Sequence, residues 1–589
     1  MQPLTQQLTT IVSGAFEAAG LDAAYGEVVV SNRPDLGQFQ CNGALPAAKA
    51  YGRNPREIAE QIVELLQKEA IFREISLAGP GFINLTVSDD FLAQTIQAMA
   101  DDERLGVAPV ANPRKVLVDY GGANVAKPMH VGHLRAGIIG ESIYRLFRFM
   151  GDDVIGDVHL GDWGTQMGQV IVELRRRMPE LPYFDAAYSG PYPAESPISL
   201  ADLEEIYPAA SKQAKEDPTY AEEARLATVD LQNGRAGYRA LWQHFHDVSV
   251  AGLKEDYDKL DIRFDLWKGE SDVQDRIPAM IERLEASGVV ELSNGALVVD
   301  ISLPTDNKPT PPLMLRKSDG GVLYGTTDLA TIEERVQELG VELILYVVDH
   351  RQRQHFEQVF RGAYKTGIAP ETVKLEHNYF GTMNGKDGRP FKTREGGNMK
   401  LKDLIALVIE AALQRMAESH VADEYDAEER QEIARRVGLA ALKYADLMNQ
   451  RTKDYIFDLE RFSSFEGRTG PYLLYTTVRA RSILGKATEQ GLQAGAILPP
   501  TVDAERALML ALTHLPLALQ TAYDTRMPNH LADFVYTLAN EFNRFYNSCH
   551  ILRESDTAVQ ASWLALTRLF LQTAELVLNL LGIEIPERM

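Results

Sequence analysis

The run KVLVDY at 115–120, followed by Gly121-Gly122 and then by a helical pattern from about Val131 to Phe149, limits the fold of this chain more than any other feature. A short β-type run, a glycine loop and a helix, in that order, open the parallel sheet of a nucleotide-binding α/β domain. A second short, β-branched apolar run, VELILYVV at 341–348, reads as another buried strand. The two runs lie far apart along the chain, so they are expected to form distant halves of one parallel sheet. Residues from about 170 to 260, charge-rich and mostly helical by pattern with a loop signal at YSGPYPAESP, read as an insertion between those halves.

At 589 residues the chain exceeds the size of a single core and predicts several packed units. Residues 1 to about 110 read as a small α/β unit, with an opening amphipathic helix, a second helix at Pro55 to Glu69 and a strand at Gly81 to Val87. The stretch ERLGVAPVANPRK reads as a connector, and beyond about 400 the pattern is almost wholly helical. In FVYTLANEFNRFY, Phe534, Leu538, Phe542 and Phe545 fall on one helical face. The expected fold class is therefore multidomain α/β: a small N-terminal α/β domain (1–110), a Rossmann-type parallel-sheet domain with a helical insertion (111–395, insertion about 170–260), a connecting helical region (396–470) and an all-helical C-terminal domain (471–589).

A formal charge of −23 argues against a protein that coats nucleic acid through bulk attraction. Distribution matters more than the sum, because Pro471 to Met589 holds 9 basic and 11 acidic residues and leaves room for a local RNA-binding face. Cys41 and Cys549 are the only cysteines, which excludes a disulfide framework and a four-cysteine zinc site and suits a reducing cytoplasm. No segment approaches a membrane span, and MQPLTQQLTTIVSGAF lacks the basic start of a signal peptide, so export is not expected.

In NVAKPMHVGHLR, His130 and His133 stand three apart at the start of the helix that follows the glycine loop, so both rings can face one point. A helix N-terminus offers unpaired amides and partial positive charge to a triphosphate, and Gly132 lets an adenine or ribose approach the backbone. Imidazole N–H groups can donate to α-phosphate oxygens as negative charge builds there. A bare HxGH is more often a surface helix or a metal-ligand pair. This one follows a buried strand and precedes a second glycine-punctuated turn, HLGDWGTQ at 159–166. Further on, GKDGRPFKTREGG at 385–397 is a loop by composition, carries Lys386, Arg389, Lys392 and Arg394, and is suited to close over pyrophosphate.

These strings resemble the class I aminoacyl-tRNA synthetases, whose HIGH signature stands here as His130-Val131-Gly132-His133. Within that class, DYGGANVAKPMHVGHLRAGIIG, GDWGTQMG, KYADLMNQRTKDYIFD at 443–458 and the terminal PERM resemble arginyl-tRNA synthetases, over essentially the whole chain. The resemblance implies an arginine–tRNA ligase that uses ATP with Mg²⁺ to form arginyl-adenylate and pyrophosphate. It then passes arginine to the terminal adenosine of its tRNA, by way of the 2′-OH, and needs bound tRNA even for activation. The ATP residues it implies are His130, Gly132, His133 and Lys392, with no protein metal ligands. The family's KMSKS signature is degenerate, because Pro390-Phe391-Lys392-Thr393-Arg394 replaces it. The resemblance implies that a lysine just before the histidines, here Lys127, compensates.

A guanidinium is planar, always charged and best held by carboxylates and fixed acceptors. By resemblance the arginine site falls on Asn124, Glu270, Tyr324, Asp328 and Gln352, with Asp328 and Glu270 facing the guanidinium. On its own, an aspartate after two threonines reads rather as a helix N-cap. The N-terminal unit resembles the family's domain for the tRNA elbow, with Gln40, Phe82 and Asn84 as candidate readers and Asn84 preferred to the strand residue Phe82. In the C-terminal unit Tyr472, Tyr475, Arg479 and Arg481 are candidates for stacking and base-edge contacts, by which RNA loops are read without bulk charge. The expected partners are tRNA for arginine, arginine and ATP, the expected state is a cytoplasmic monomer, and no membrane is expected. A small HxGH nucleotidyltransferase does not need the two flanking units, and a catalytically silent tRNA-binding module does not need both histidines and the acidic pocket.

Overall fold

The computed structural model describes residues 2–127, 129–308, 310–318, 320–389, 399–421 and 423–589. The chain forms two compact units, one of Met1–Val110, Arg415–Ala440 and Ser463–Met589, the other of Ala111–Gln414 and Ala441–Phe462.

In the first unit, β1 (Val28–Val30), β2 (Phe39–Cys41), β3 (Phe72–Ala78) and β4 (Phe82–Val87) form an antiparallel sheet in the order β1-β2-β4-β3. The helix Pro55–Leu66 starts at an Asn54 cap with proline in its first turn, and it buries Ile58, Ile62, Val63 and Leu66 at helical spacing. The same unit contains the C-terminal helices. On Asn529–Ser548, Phe534, Leu538, Phe542 and Phe545 are all buried, as their spacing predicts. Phe542 stacks on Phe570 with ring centroids 3.9 Å apart. Arg506 joins the two ends of the chain, donating to the Asp89 carboxylate at 2.6 Å and to the Val87 carbonyl at 2.7 Å.

The second unit is built on a five-stranded, wholly parallel sheet. Its strands are β5 (Lys115–Tyr120), β6 (Asp153–Leu160), β7 (Leu266–Gly269), β11 (Leu343–Val347) and β12 (Lys374–His377), in the order β12-β11-β5-β6-β7. Every residue of β11 is buried, and so are Val116–Tyr120 of β5, which is why both read as mostly apolar runs. The chain lays down β5, β6 and β7 in one direction and returns to the other side of β5. The order therefore reverses between β5 and β11, and ligands bind outside the strand ends at such a reversal.

Two further features position that edge. The helix Val131–Met150 packs tightly on β5 because Gly140 has no side chain, and a β-carbon there would lie 2.3 Å from Tyr120 Cβ. Arg135 on the same helix is 2% exposed, donates to Asp446 at 2.9 Å and to the Gly381 carbonyl at 2.7 Å, and so fixes the helix from its buried side.

The helices Leu200–Glu216, Pro218–Gln232 and Ala236–Lys259 lie between β6 and β7, which is the expected insertion. Between β7 and β11 the chain adds a small antiparallel sheet that the sequence reading did not include, of β8 (Glu291–Ser293), β9 (Ala296–Val299) and β10 (Leu313–Arg316). A pair of two-residue strands, β13 (Met383–Asn384) and β14 (Tyr455–Ile456), completes the unit.

Candidate active site

His130 is the N-cap of the helix Val131–Met150, and the two histidines form a reciprocal cap. The Gly132 N–H donates to His130 Nδ1 at 3.0 Å, and the His130 N–H donates to His133 Nδ1 at 3.2 Å. Each Nδ1 is thereby an acceptor, so in the neutral ring the proton sits on Nε2. The rings stack at 4.0 Å and 26°. Gly132 is required for this arrangement, since a β-carbon would come within 2.7 Å of His130 Cε1. Burial, the neighbouring His130 and Lys127 push His133 down to about 3, and burial with Lys127 also lowers His130, so both rings are neutral at physiological pH.

Beside this cap lies a cavity of about 230 Å³, lined by His130, Gly132, Arg135, Asp349, Arg351 and the stretch Phe380–Met383. It sits where the sheet order reverses, between the loops that leave β5 and β11. The backbone closes one side, as Val131 N–H donates to the Met399 carbonyl at 3.1 Å and Leu401 N–H to the Met129 carbonyl at 2.9 Å. Lys127 stands five residues past Gly122, its ammonium 4.9 Å from the centroid of the Tyr207 ring. Lys392 and Arg394 fall within 390–398 and lie outside the described residues.

The residues expected at the amino-acid site also leave strand ends. Asn124 follows β5 and bridges to Gly161, which follows β6, and Glu270 opens the turn Glu270–Arg276 directly after β7. Burial, with Asp162 and Asp328 nearby, raises the Glu270 carboxyl to about 7. Tyr324 and Asp328 ride on the helix Tyr324–Gln337, whose cap is Leu323, so Asp328 is in its second turn and is not a cap. Its carboxylate accepts from His355 Nε2 at 2.5 Å. Gln352 follows β11 and is exposed. The carboxylates of Asp162 and Asp328 thus lie near enough to act on Glu270, an arrangement that favours a bound cation.

Sequence reasoning did not select Asp162, Arg351 or His355. Asp162 is wholly buried and accepts from the Ser271 N–H at 3.0 Å and the Ser271 hydroxyl at 2.5 Å, which holds the turn bearing Glu270. Arg351 and His355 both stand in DHRQRQH, the string that yielded Gln352.

Residues 94–459 match the family of class I tRNA synthetases (R), catalytic domain, residues 473–589 match the DALR anticodon binding domain, and residues 5–87 match the arginyl tRNA synthetase N terminal domain. The chain is 53% identical over 590 residues to the arginine–tRNA ligase of Alkaliphilus oremlandii, covering all of both chains. The chain belongs to the arginyl-tRNA synthetases. It is an arginine–tRNA ligase of class I and uses ATP. The ligase of Maricaulis maris is 50% identical over 592 residues, again with full coverage of both. The crystal structure of the Plasmodium falciparum arginyl-tRNA synthetase superposes with a TM-score of 0.82 at 26% identity, covering 100% of each chain. That of Thermus thermophilus gives 0.79 at 23%, with the same coverage and a likeness of fold.

In the synthetase's N-terminal sheet, Gln40 and Asn84 face each other across β2 and β4, and Gln40 Nε2 donates to Asn84 Oδ1 at 2.8 Å. Asn84 is 1% exposed, whereas Phe82 is only partly buried. The Asn84 carboxamide is used inside the sheet, on Gln40 and on the Ser76 hydroxyl. On the helix Gly470–Glu489, the Tyr472 hydroxyl donates to Asn540 at 2.7 Å. Arg479 donates to Asn543 at 2.7 Å, with its guanidinium 4.8 Å from the centroid of Tyr475 and 5.1 Å from that of Tyr546. Tyr475 and Arg479 line a cavity of about 570 Å³ with Lys486, Tyr546 and His550. Arg481 turns elsewhere, to Glu575 and the Pro586 carbonyl, both at 2.7 Å. Among the described residues no helix is long and apolar enough to cross a membrane.

Proposed function

We propose that the stacked histidines bind the ATP phosphates through their Nε2–H groups while arginine lies in the acidic mouth beside them. The observation that carries this reading is that both Nδ1 atoms are committed to the backbone cap, which leaves one N–H donor on each neutral ring. The arginine carboxylate, already ionised at neutral pH, attacks the α-phosphorus. A bond forms between them, the bond to the β-phosphate oxygen breaks, and pyrophosphate leaves with the electron pair. No protein base is needed, and the rate rests on positioning and on donors aimed at the developing charge. The terminal ribose 2′-OH then attacks the carbonyl carbon of the mixed anhydride, and AMP departs.

Glu270 and Asp328 face the guanidinium in this reading, Tyr324 closes the mouth, and Asn124 and Gln352 hold the polar end of the amino acid. Lys127 and Lys392 supply cations to the phosphates. Mg²⁺ arrives as part of the nucleotide substrate. In this reading the phosphates supply its ligands.

Gln40, oriented by Asn84, reads the tRNA elbow together with Phe82 from the domain at 1–110. Tyr475 and Arg479 contact the anticodon loop from the domain at 471–589, and Tyr472 supports them. The catalytic domain at 111–395 and the helical region at 396–470 complete the division, and the enzyme acts as a cytoplasmic monomer. The test is His133→Ala in ATP–pyrophosphate exchange with tRNA present. Losing one such donor lowers kcat by about 10²- to 10³-fold, with tRNA affinity held, and a loss of tRNA affinity with normal kcat contradicts the assignment.

A further inference from the structure

The insertion between β6 and β7 grips the turn that carries Lys127 from two sides. Ala126 sits at φ +65°, in the left-handed region that a residue with a β-carbon disfavours. Its N–H donates to Ser249 Oγ at 3.0 Å, and Ser249, on the helix Ala236–Lys259, is 3% exposed. One residue on, the Lys127 ammonium lies over the Tyr207 ring at 4.9 Å, and Tyr207 belongs to another insertion helix, Leu200–Glu216. Three residues before Tyr207 on the same face, Glu204 accepts from Lys400 at 2.6 Å, and Lys400 bridges to His130 through the backbone. This helix face therefore runs past both the lysine turn and the histidine cap.

We propose that Tyr207 and Ser249 are positioning residues for Lys127. Ser249 fixes the backbone turn, and the Tyr207 ring holds the ammonium beside the histidines until a triphosphate takes it. A cation over a ring is held firmly enough to select one side-chain direction. It is also held weakly enough to yield to phosphate oxygens, which form charge-assisted hydrogen bonds with an ammonium. Burial, Glu270 and then Tyr207 raise the Tyr324 phenol, which puts the same ring beside the arginine mouth as well. The insertion thus sets the aim of a residue that meets the substrate.

The proposal rests on the reading of Lys127 as a phosphate ligand, and the experiment separates the two. ATP–pyrophosphate exchange is measured on the full chain with arginine and saturating tRNA. Tyr207→Leu is expected to lower kcat roughly threefold to tenfold, the range of one cation–π contact, with KM for arginine and the melting temperature unchanged. Tyr207→Phe keeps the ring face and stays within about twofold of the parent, while Ser249→Ala lowers kcat in the same direction through the backbone. Added to Lys127→Met, Tyr207→Leu brings no further loss. If Lys127→Met leaves kcat at the parent value, the reading of Lys127 falls. If Lys127→Met is slow but Tyr207→Leu is at the parent rate, or the two losses multiply, the positioning role is overturned.

Discussion

Glu270→Gln joined to a pH series probes the acidic mouth most directly. Burial beside Asp162 and Asp328 holds the Glu270 carboxyl at about 7, against 4.5 for an unperturbed one. Keeping it ionised in the empty site at pH 8 therefore costs about 3 kcal/mol, at 1.36 kcal/mol per pKa unit. A bound guanidinium offsets that cost, so arginine selects the ionised form. About one tenth of the free enzyme carries the charge at pH 6 and about nine tenths at pH 8, and kcat/KM for arginine, which reports free-enzyme titrations, rises about tenfold between them. Glu270→Gln removes both the charge and the slope.

Stability moves the opposite way. A carboxyl whose folded pKa lies above its unfolded one binds more protons when folded across the interval from 4.5 to about 7. Its contribution is present below that interval and is lost as pH rises through it. The Gln variant therefore melts higher than the parent at pH 8, and the gap closes towards pH 5. Initial aminoacylation rates at varied arginine, with melting curves on the same samples, measure both effects. A flat parent profile between pH 6 and 8, or an unchanged slope in the variant, would refute the reasoning.

Two other substitutions test neighbouring contacts. Asp328→Asn removes the charge that meets His355 and, in the proposed reading, the guanidinium, and KM for arginine should rise by about 10²-fold, as for a broken buried ion pair, with KM for ATP nearly unchanged in the same assay. Arg335, 2% exposed, reaches Asp119 at 2.6 Å on β5 and Asp157 at 2.7 Å on β6. Arg335→Met leaves two buried carboxylates without a cation, so stability should fall by about 3–5 kcal/mol. The loss should be read as a lower melting temperature that recovers partly at acid pH, where Asp157, whose carboxyl burial already raises, is protonated.

Much of the sheet was legible because its central strands are largely apolar. KVLVDY is β5 residue for residue, and VELILYVV contains β11. In β6, DVIGDVHL, a glycine and acidic residues break the run, and Asp157 is tolerated there only because Arg335 comes to meet it from a distant helix. β7 is four residues long, too short for any periodicity to register. The histidine cap could be placed from spacing alone, but the use of each Nδ1 depends on backbone angles that no spacing encodes. Asp328 and His355 lie 27 positions apart and Gln40 and Asn84 lie 44 apart. Such pairings depend on how strands and helices are brought together, and no local window contains both partners. The joining of the first and last segments of the chain in one compact unit was out of reach for the same reason.

The strand order has a consequence during synthesis. β5 leaves the ribosome long before β11, its partner on one side, because the insertion and the small antiparallel sheet are translated in between. At about 5–20 residues per second this interval lasts on the order of ten seconds or more. Through that time one border of an almost wholly apolar strand has no neighbour to pair with, which invites wrong pairing between nascent chains. The helices of the insertion are local structures that can form as they emerge. They give the growing chain something to fold while β5 waits, so an insertion that aims a lysine in the finished enzyme can also occupy the interval before the sheet closes.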